Sequence, residues 1–210
     1  MYQNYLSVKI KMYKKTDFEM SDRQKEIIDV SLELIAEKGI QGLTIKNLAK
    51  KIGFSESATY RHYENKTQIL IAVLDFFKDG TQQLFADQLN TEADAMVKIK
   101  HLFLNQFKFF TQSPSLVAVV FSEELFQNKK ILSGKVSDIM NTNFRMMTQI
   151  LQAGQNNGEL RPDIEAPHLS LVVLGSLRLF VKQWHLSNHA FNLTEKGKEL
   201  TNSIEILIRK

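Results

Sequence analysis

The chain of 210 residues contains no cysteine. That excludes thiol catalysis, cysteine-ligated zinc and iron–sulfur sites, and a scaffold held by disulfides, and it fits a reducing cytoplasm. Three prolines and nine glycines leave few chain breakers. They fall at intervals that read as punctuation between helices. Runs of alternating β-branched residues are missing, and no glycine-rich loop follows a strand pattern, so nucleotide-binding α/β folds have no support. No apolar stretch approaches the roughly 20 residues of a membrane span. The longest run, Leu169 to Val181, is broken by Ser170, Ser176 and Arg178. Lys9, Lys11, Lys14 and Lys15 lead into no apolar segment or small-residue cleavage site, so no signal peptide is expected. No repeat of helical-solenoid length is present.

The hydrophobic fraction of 43% and charged fraction of 24% are those of an ordinary globular protein that buries a sizeable core. A formal net charge of +4 is modest, so its distribution decides its meaning. Residues 1–70 hold 12 Lys and Arg against 9 Asp and Glu, while the remaining residues hold 15 against 14. The excess lies in the first third. Between residues 44 and 66, Lys46, Lys50, Lys51, Arg61 and Lys66 face only Glu56 and Glu64. A solvated helix face would carry the same lysines, so motif geometry must discriminate.

Ser21 caps an amphipathic helix that places Ile28, Leu32 and Ile35 on one face and ends at Gly39. Thr44 caps a second helix with Ile45, Leu48, Ala49 and Ile52 on one face, and Gly53 breaks it. Ser55 opens a third helix of about two turns, ESATYRHY, too polar to be a core element. Asn65, with Gln68 three residues on, caps a fourth through Ile69, Val73 and Phe77. Two short helices joined at a glycine form the helix-turn-helix pattern, which offers the N-terminal end of its second helix to the DNA major groove. Here that end is Ser55, Glu56, Ser57, Ala58 and Thr59, all small or polar. A helical hairpin that merely packs is the bland alternative.

The segment LELIAEKGIQGLTIKNLAKKIGFSESATYRHYENKTQIL, residues 32–70, resembles the DNA-binding domain of the TetR family of bacterial regulators. The family's pattern appears as Thr44, Ala49, Gly53, Ser55, Tyr60, His62, Tyr63 and Lys66 in order and spacing. Ile52 stands where alanine is common, and Ser57 replaces a frequent glycine or alanine. The resemblance implies an all-α protein: a three-helix helix-turn-helix domain over residues 20–66 and a larger helical effector-binding and dimerisation domain over 67–210. It implies a ligand-responsive repressor that binds double-stranded DNA as a homodimer, without cofactor or catalysis.

Tyr60, His62 and Lys66 bracket the end of the third helix, where a hydroxyl, an imidazole and an ammonium reach phosphates. A capping histidine and a solvated lysine are the bland alternatives. By the resemblance, Glu56, Ser57 and Ala58 face the bases, helped by Lys46, although Glu56 equally reads as a first-turn acid favoured by the helix dipole. Thr44 and Ser55 complete the candidate set. Tyr63 is expected in the core. Residues 1–19 read either as a disordered extension or as a basic arm to neighbouring DNA.

Further helices follow. Thr91 is expected to cap one reaching about Thr111, Pro114 opens another, and a long one from Lys130 to about Asn157 carries Leu132, Val136, Ile139, Met140, Phe144, Met147 and Leu151 on one face. The strongly apolar LSLVVLGSLRLFVKQW and a last helix from Thr194 complete the chain. Phe and Met stripes usually pack as core. The resemblance adds a cavity for a small apolar or amphipathic effector, with Phe107, Phe121, Phe144, Met147 and Trp184 as candidates. It also assigns the penultimate helix to dimerisation through Leu171, Leu174, Gly175, Ser176 and Leu179. His101, His168, His185 and His189 lack metal-site spacing. Two rivals stand beside the repressor: a nucleoid-occlusion factor on the same fold, and a small helical enzyme, for which Glu123 and Glu124 read as ordinary helix surface.

Overall fold

The computed structural model describes residues 21–122 and 129–210. The expected extension, residues 1–19, lies outside the described residues, as do Glu123 and Glu124. The described helices are α1 (Asp22–Gly42), α2 (Ile45–Ile52), α3 (Glu56–Tyr60), α4 (Lys66–Leu89), α5 (Ala95–Gln112), α6 (Pro114–Val120), α7 (Lys130–Asn156), α8 (Ala166–Leu186) and α9 (Leu193–Ile208). Extended pairing among the described residues is one isolated bridge between Leu160 and Arg209. The fold is all-α.

Local chemistry sets most helix starts. Ser21 and Gln24 form a reciprocal capping box at α1: the Gln24 amide donates to the Ser21 hydroxyl, and the Ser21 amide donates to Gln24 Oε1 at 3.0 Å. The Gln68 amide donates to Asn65 Oδ1, and Gln68 Oε1 accepts from the Glu64 amide, which fixes α4 where its sequence suggested. Gly39 breaks α1 where the sequence suggested. Its φ of +68° interrupts the helix, and one further turn carries it to Gly42. Thr91 is not the cap of α5: its hydroxyl donates to the Gln88 carbonyl at the end of α4. The first amides of α5 are taken by carboxylates instead, Met96 N–H by Asp94 and Ala95 N–H by Glu159 at 2.7 Å each.

Backbone proximity divides the chain into two compact units. The first gathers the chain up to Asp79 with Ser113–Ser137; the second gathers Gly80–Gln112 with Asp138–Lys210. These boundaries differ from the expected 20–66 and 67–210: they cut through α4 and α7, and they return α6 to the first unit. Pairing is the reason. Leu116, Val117 and Val120 of α6 are buried, and α6 packs on α1. No local pattern announces a partner so far away in sequence.

In the first unit α1 packs on α2 and α6, and α2 on α3, around Ile27, Ile28, Leu34, Leu48, Ile69 and Leu74. In the second, α5 packs on α9, and α8 on both. Along α7 the expected stripe is buried at Leu132, Val136, Ile139, Met147 and Leu151, while Met140 is exposed, for which helix geometry offers no account.

The α5–α9 packing depends on a missing side chain. A Cβ at Gly197 would lie 2.3 Å from two ring carbons of Phe107, a residue that is itself 1% exposed and edge-on to Phe103 and Phe180. Gly197→Ala should therefore destabilise the protein by about 1–3 kcal/mol through overpacking. Gly175→Ala, whose Cβ would meet nothing within 4 Å, should leave the unfolding midpoint nearly unchanged. Thermal unfolding of the two variants side by side checks the contrast.

Candidate nucleic-acid interface

The first unit holds its shortest helix from several sides. Thr44 caps α2 by accepting from the Asn47 amide at 3.1 Å, and Gly53, at φ +84°, closes it in the left-handed conformation that a side chain would disfavour. Ser55 then accepts from the Ala58 amide at 3.2 Å and starts α3. The underside of α3 is anchored by Thr59, fully buried, and Tyr63, whose hydroxyl is pushed above its ordinary range by burial. Tyr63 sits in the core, as its sequence position suggested.

The upper side of the motif is open. Thr44, Lys46, Ser55, Glu56, Ser57, Tyr60 and His62 are all exposed, and Ala58 is half-buried. Ser55 and Ser57 share a hydroxyl–hydroxyl hydrogen bond of 2.9 Å at the first turn. Tyr60 is half-exposed, a large ring presented to solvent beside small polar neighbours. Lys50 and Arg61 are exposed on the same stretch of chain and were not among the sequence candidates. Among the described residues Lys46, Lys50 and Arg61 enter no ion pair. Their signal in the sequence was only charge, and charge alone does not say which lysines are free.

Two neighbouring cations have internal work. The Lys51 ammonium is hydrogen-bonded to Glu37 and lies 3.4 Å from Glu33, both on α1, and the Glu37 carboxylate holds it above its ordinary range. Lys66 donates its ammonium to the Ile40 carbonyl, in the turn that follows Gly39. Lys66 is thus a clasp between α1 and α4. The start of α1 is fastened as well: the Arg23 guanidinium lies 4.3 Å over the Phe54 ring, one residue before the cap of α3.

The remaining candidates fall in two places. Phe121 belongs to the first unit, whereas Phe107, Phe144, Met147 and Trp184 belong to the second, so the five do not form one set within a unit. Phe107 is packed on Gly197, Met147 is fully buried, and the Trp184 indole N–H donates to the Phe191 carbonyl at 3.0 Å; all three serve the packing. Phe144 is half-buried. On α8, Leu171 and Leu179 are about 60% exposed and Gly175 is open, but Leu174 and Ser176 are half-buried and Ser176 donates to the Val172 carbonyl. Missed by sequence were Val172 and Leu186 on α8 and Ile206 and Leu207 on α9, all large, apolar and exposed. A buried helix and a helix awaiting a partner have the same composition.

Among the described residues no group of three or more potential metal ligands occurs, and no helix is long and apolar enough to cross a membrane.

Residues 27–73 match the family described as bacterial regulatory proteins of the tetR type, and residues 81–208 match the C-terminal region of YsiA-like proteins. The chain is 25% identical over 187 residues to the fatty acid metabolism regulator protein of Bacillus subtilis, covering 87% of this chain and 92% of that protein. It is 20% identical over 176 residues to the nucleoid occlusion factor SlmA of Photobacterium profundum, covering 83% and 90%. The solved structure of the transcriptional regulator FadR from Bacillus subtilis in complex with stearoyl-CoA superposes with a TM-score of 0.74 at 22% identity, covering 86% of this chain and 96% of that one.

Because α3 is only five residues long, its cap carries much of its local stability. Ser55→Ala should cost about 1 kcal/mol, read as a lower denaturation midpoint without a change in slope. Ser55→Asp should retain the cap and the midpoint.

Proposed function

The chain belongs to the TetR family of bacterial regulatory proteins, and from this premise we infer that it is a ligand-responsive, DNA-binding transcriptional repressor that works as a dimer in the cytoplasm. The observation that carries the reading is the polar, solvent-facing first turn of α3 on a frame whose own charges are internally satisfied at Lys51 and Lys66. A regulator of this kind needs no catalytic constellation.

In this reading α3 enters the major groove. Glu56, Ser57 and Ala58 meet base edges, with Lys46 from α2 beside them. Thr44, Ser55, Tyr60 and His62 meet phosphates, joined by Lys50 and Arg61. Lys66 clasps the turn after Gly39 and is proposed to approach the phosphates beside it. One short helix reads too few base pairs for genomic specificity, so two heads must be held about one DNA turn, roughly 34–36 Å, apart. The surface proposed to hold them is the face of α8 with Leu171, Val172, Gly175, Leu179 and Leu186, continued by Ile206 and Leu207 on α9, which packs on α8. Exposed apolar side chains at this density favour burial against a second copy.

The effector is proposed to be a long-chain acyl compound such as an acyl-CoA. Support comes from the likeness to the Bacillus subtilis fatty acid regulator over most of both chains. Within the second unit Phe144 of α7 is the candidate kept for its apolar portion, while Phe107, Met147 and Trp184 shape the surrounding packing. Coupling is reciprocal: an effector that prefers the head spacing unsuited to DNA weakens DNA binding by the factor by which DNA weakens effector binding. The likeness to SlmA favours a second reading, a nucleoid-occlusion factor, whose occupancy would be dispersed over the chromosome rather than confined to a few promoters.

Duplexes selected from a random pool by the full chain should share a pseudo-palindromic sequence, and stearoyl-CoA should release them. On such a duplex Lys50→Ala with Arg61→Ala should lower the slope of log affinity against log salt by about one unit for each phosphate that is no longer neutralised. Glu56→Ala or Ser57→Ala should instead change the preferred base pairs by roughly 1–3 kcal/mol each. An unaltered salt slope and an unaltered preference would together remove α3 from the interface.

The dimer surface is tested separately. Gly175→Glu places a carboxylate on the open face of α8 without crowding the single chain, since a Cβ there meets nothing. It should give a folded monomer by light scattering and circular dichroism, with operator binding abolished. A variant that stays dimeric would move the interface elsewhere.

A further inference from the structure

The first unit contains a cleft of about 870 Å³ that the reading of α3 does not use. Its walls are the end of α1 at Gln41, the cap and first turns of α4, and the start of α7. The lining has two characters. Leu70, Ile71, Ile131 and Leu132 are apolar, and Ile131 is 55% exposed. Lys66 and Lys129 are cationic, the other lining side chains are neutral amides and a hydroxyl, and no carboxylate is among them. Lys66 donates its ammonium to the Ile40 carbonyl, an acceptor that fixes the group without cancelling its charge. Lys129 is exposed, and its carbonyl accepts from the Leu132 amide at 2.9 Å and the Ser133 amide at 3.2 Å, so the backbone at the start of α7 sets its place. Glu64, the acid beside the α4 cap, accepts from Gln68 Nε2 at 3.0 Å. Two long helices, α4 and α7, begin at the cleft, and the dipole of each favours negative charge there.

We propose that this cleft is a ligand site for an amphipathic anion, a small molecule with a carboxylate or phosphate head and an aliphatic portion. The head lies against Lys66, Lys129 and the helix starts, and the aliphatic portion covers the apolar lining. Size agrees, because clefts that hold small molecules span roughly 300–1,000 Å³ and combine apolar walls with a few polar groups. Both halves of the ligand are needed. A neutral apolar molecule would strip water from two ammoniums and return nothing, and a bare anion would leave the aliphatic side chains wet. The site is separate from the effector site proposed in the second unit. It shares Lys66 with the surface proposed for DNA, so, resting on the DNA-binding reading above, ligand and duplex compete for one cation, and each weakens the other by the same factor.

The lack of cysteine makes a local test possible. Ile131→Cys, at an exposed position, gives the full chain one thiol for an environment-sensitive fluorophore. Laurate should change the emission saturably, whereas dodecanol, with the same chain length and no charge, and inorganic phosphate should each need a concentration about tenfold higher or more. Dodecyl phosphate beside laurate tells which head is preferred, and saturable binding of either supports the site. In the labelled chain Lys129→Glu should lower laurate affinity about tenfold or more, while Lys129→Arg should preserve it and both should keep the thermal midpoint. Emission that neither anion moves, or that dodecanol moves equally, overturns the proposal, as does a Lys129→Glu titration equal to that of the parent. On a selected duplex, laurate that fills the cleft should release the DNA, and Lys129→Glu should raise the concentration required. Filling of the cleft with the duplex still bound overturns the competition and leaves the repressor reading intact. A full chain that binds no duplex at low salt overturns the repressor reading and the competition with it, while the laurate titration still decides the site.

Discussion

A five-residue helix has no stability of its own, and the architecture of the first unit follows from that constraint. Helix nucleation fixes several residues before it yields hydrogen bonds, so α3 exists only because its surroundings impose it. Burial of Thr59 and Tyr63 fixes its inner face, and the Ser55 hydroxyl caps its start. Gly53 turns the chain into it, and Arg23 presses on Phe54 just before it. The neighbours are fastened in turn: Lys51 ties α2 to α1, and Lys66 ties α4 to the turn after Gly39. All these restraints act from below or from the side. The first turn is left exposed on a braced helix, as the proposed contact with base edges requires.

The same logic assigns the lysines. A cation that satisfies a carboxylate or a carbonyl within the domain costs nothing to leave in place when DNA is absent and gains little when DNA arrives. Lys51 is of that kind, whereas Lys46, Lys50 and Arg61 are not paired within the described domain. The electrostatic footprint of the helix-turn-helix is thus narrower than its composition suggests.

The second unit shows a division between faces. Inside, steric fit is tight enough that Gly197 admits a phenylalanine ring where a methyl group would collide, and Gly154 does the same for Ala95 and Leu160. Outside, Leu171, Val172, Leu179, Leu186, Ile206 and Leu207 remain uncovered. Burial of that open apolar face against a second copy is the physical content of the proposed dimer.

The sequence by itself determined the helix-turn-helix, because its signals are local: a hydroxyl cap at Thr44 and Ser55, a glycine required at a left-handed turn, and an apolar period that selects a face. It likewise determined the capping box at Ser21, the start of α4, and the burial of Tyr63. Tertiary structure decided the rest, for a common reason. The pairing of α6 with α1, the carboxylate of Glu159 at the start of α5, the occupation of Lys51 and Lys66, and the choice between buried and open faces of α8 depend on residues that folding brings from far along the chain. An ammonium near a carboxylate and an ammonium near water have the same letter in a sequence. Only the fold supplies the neighbour.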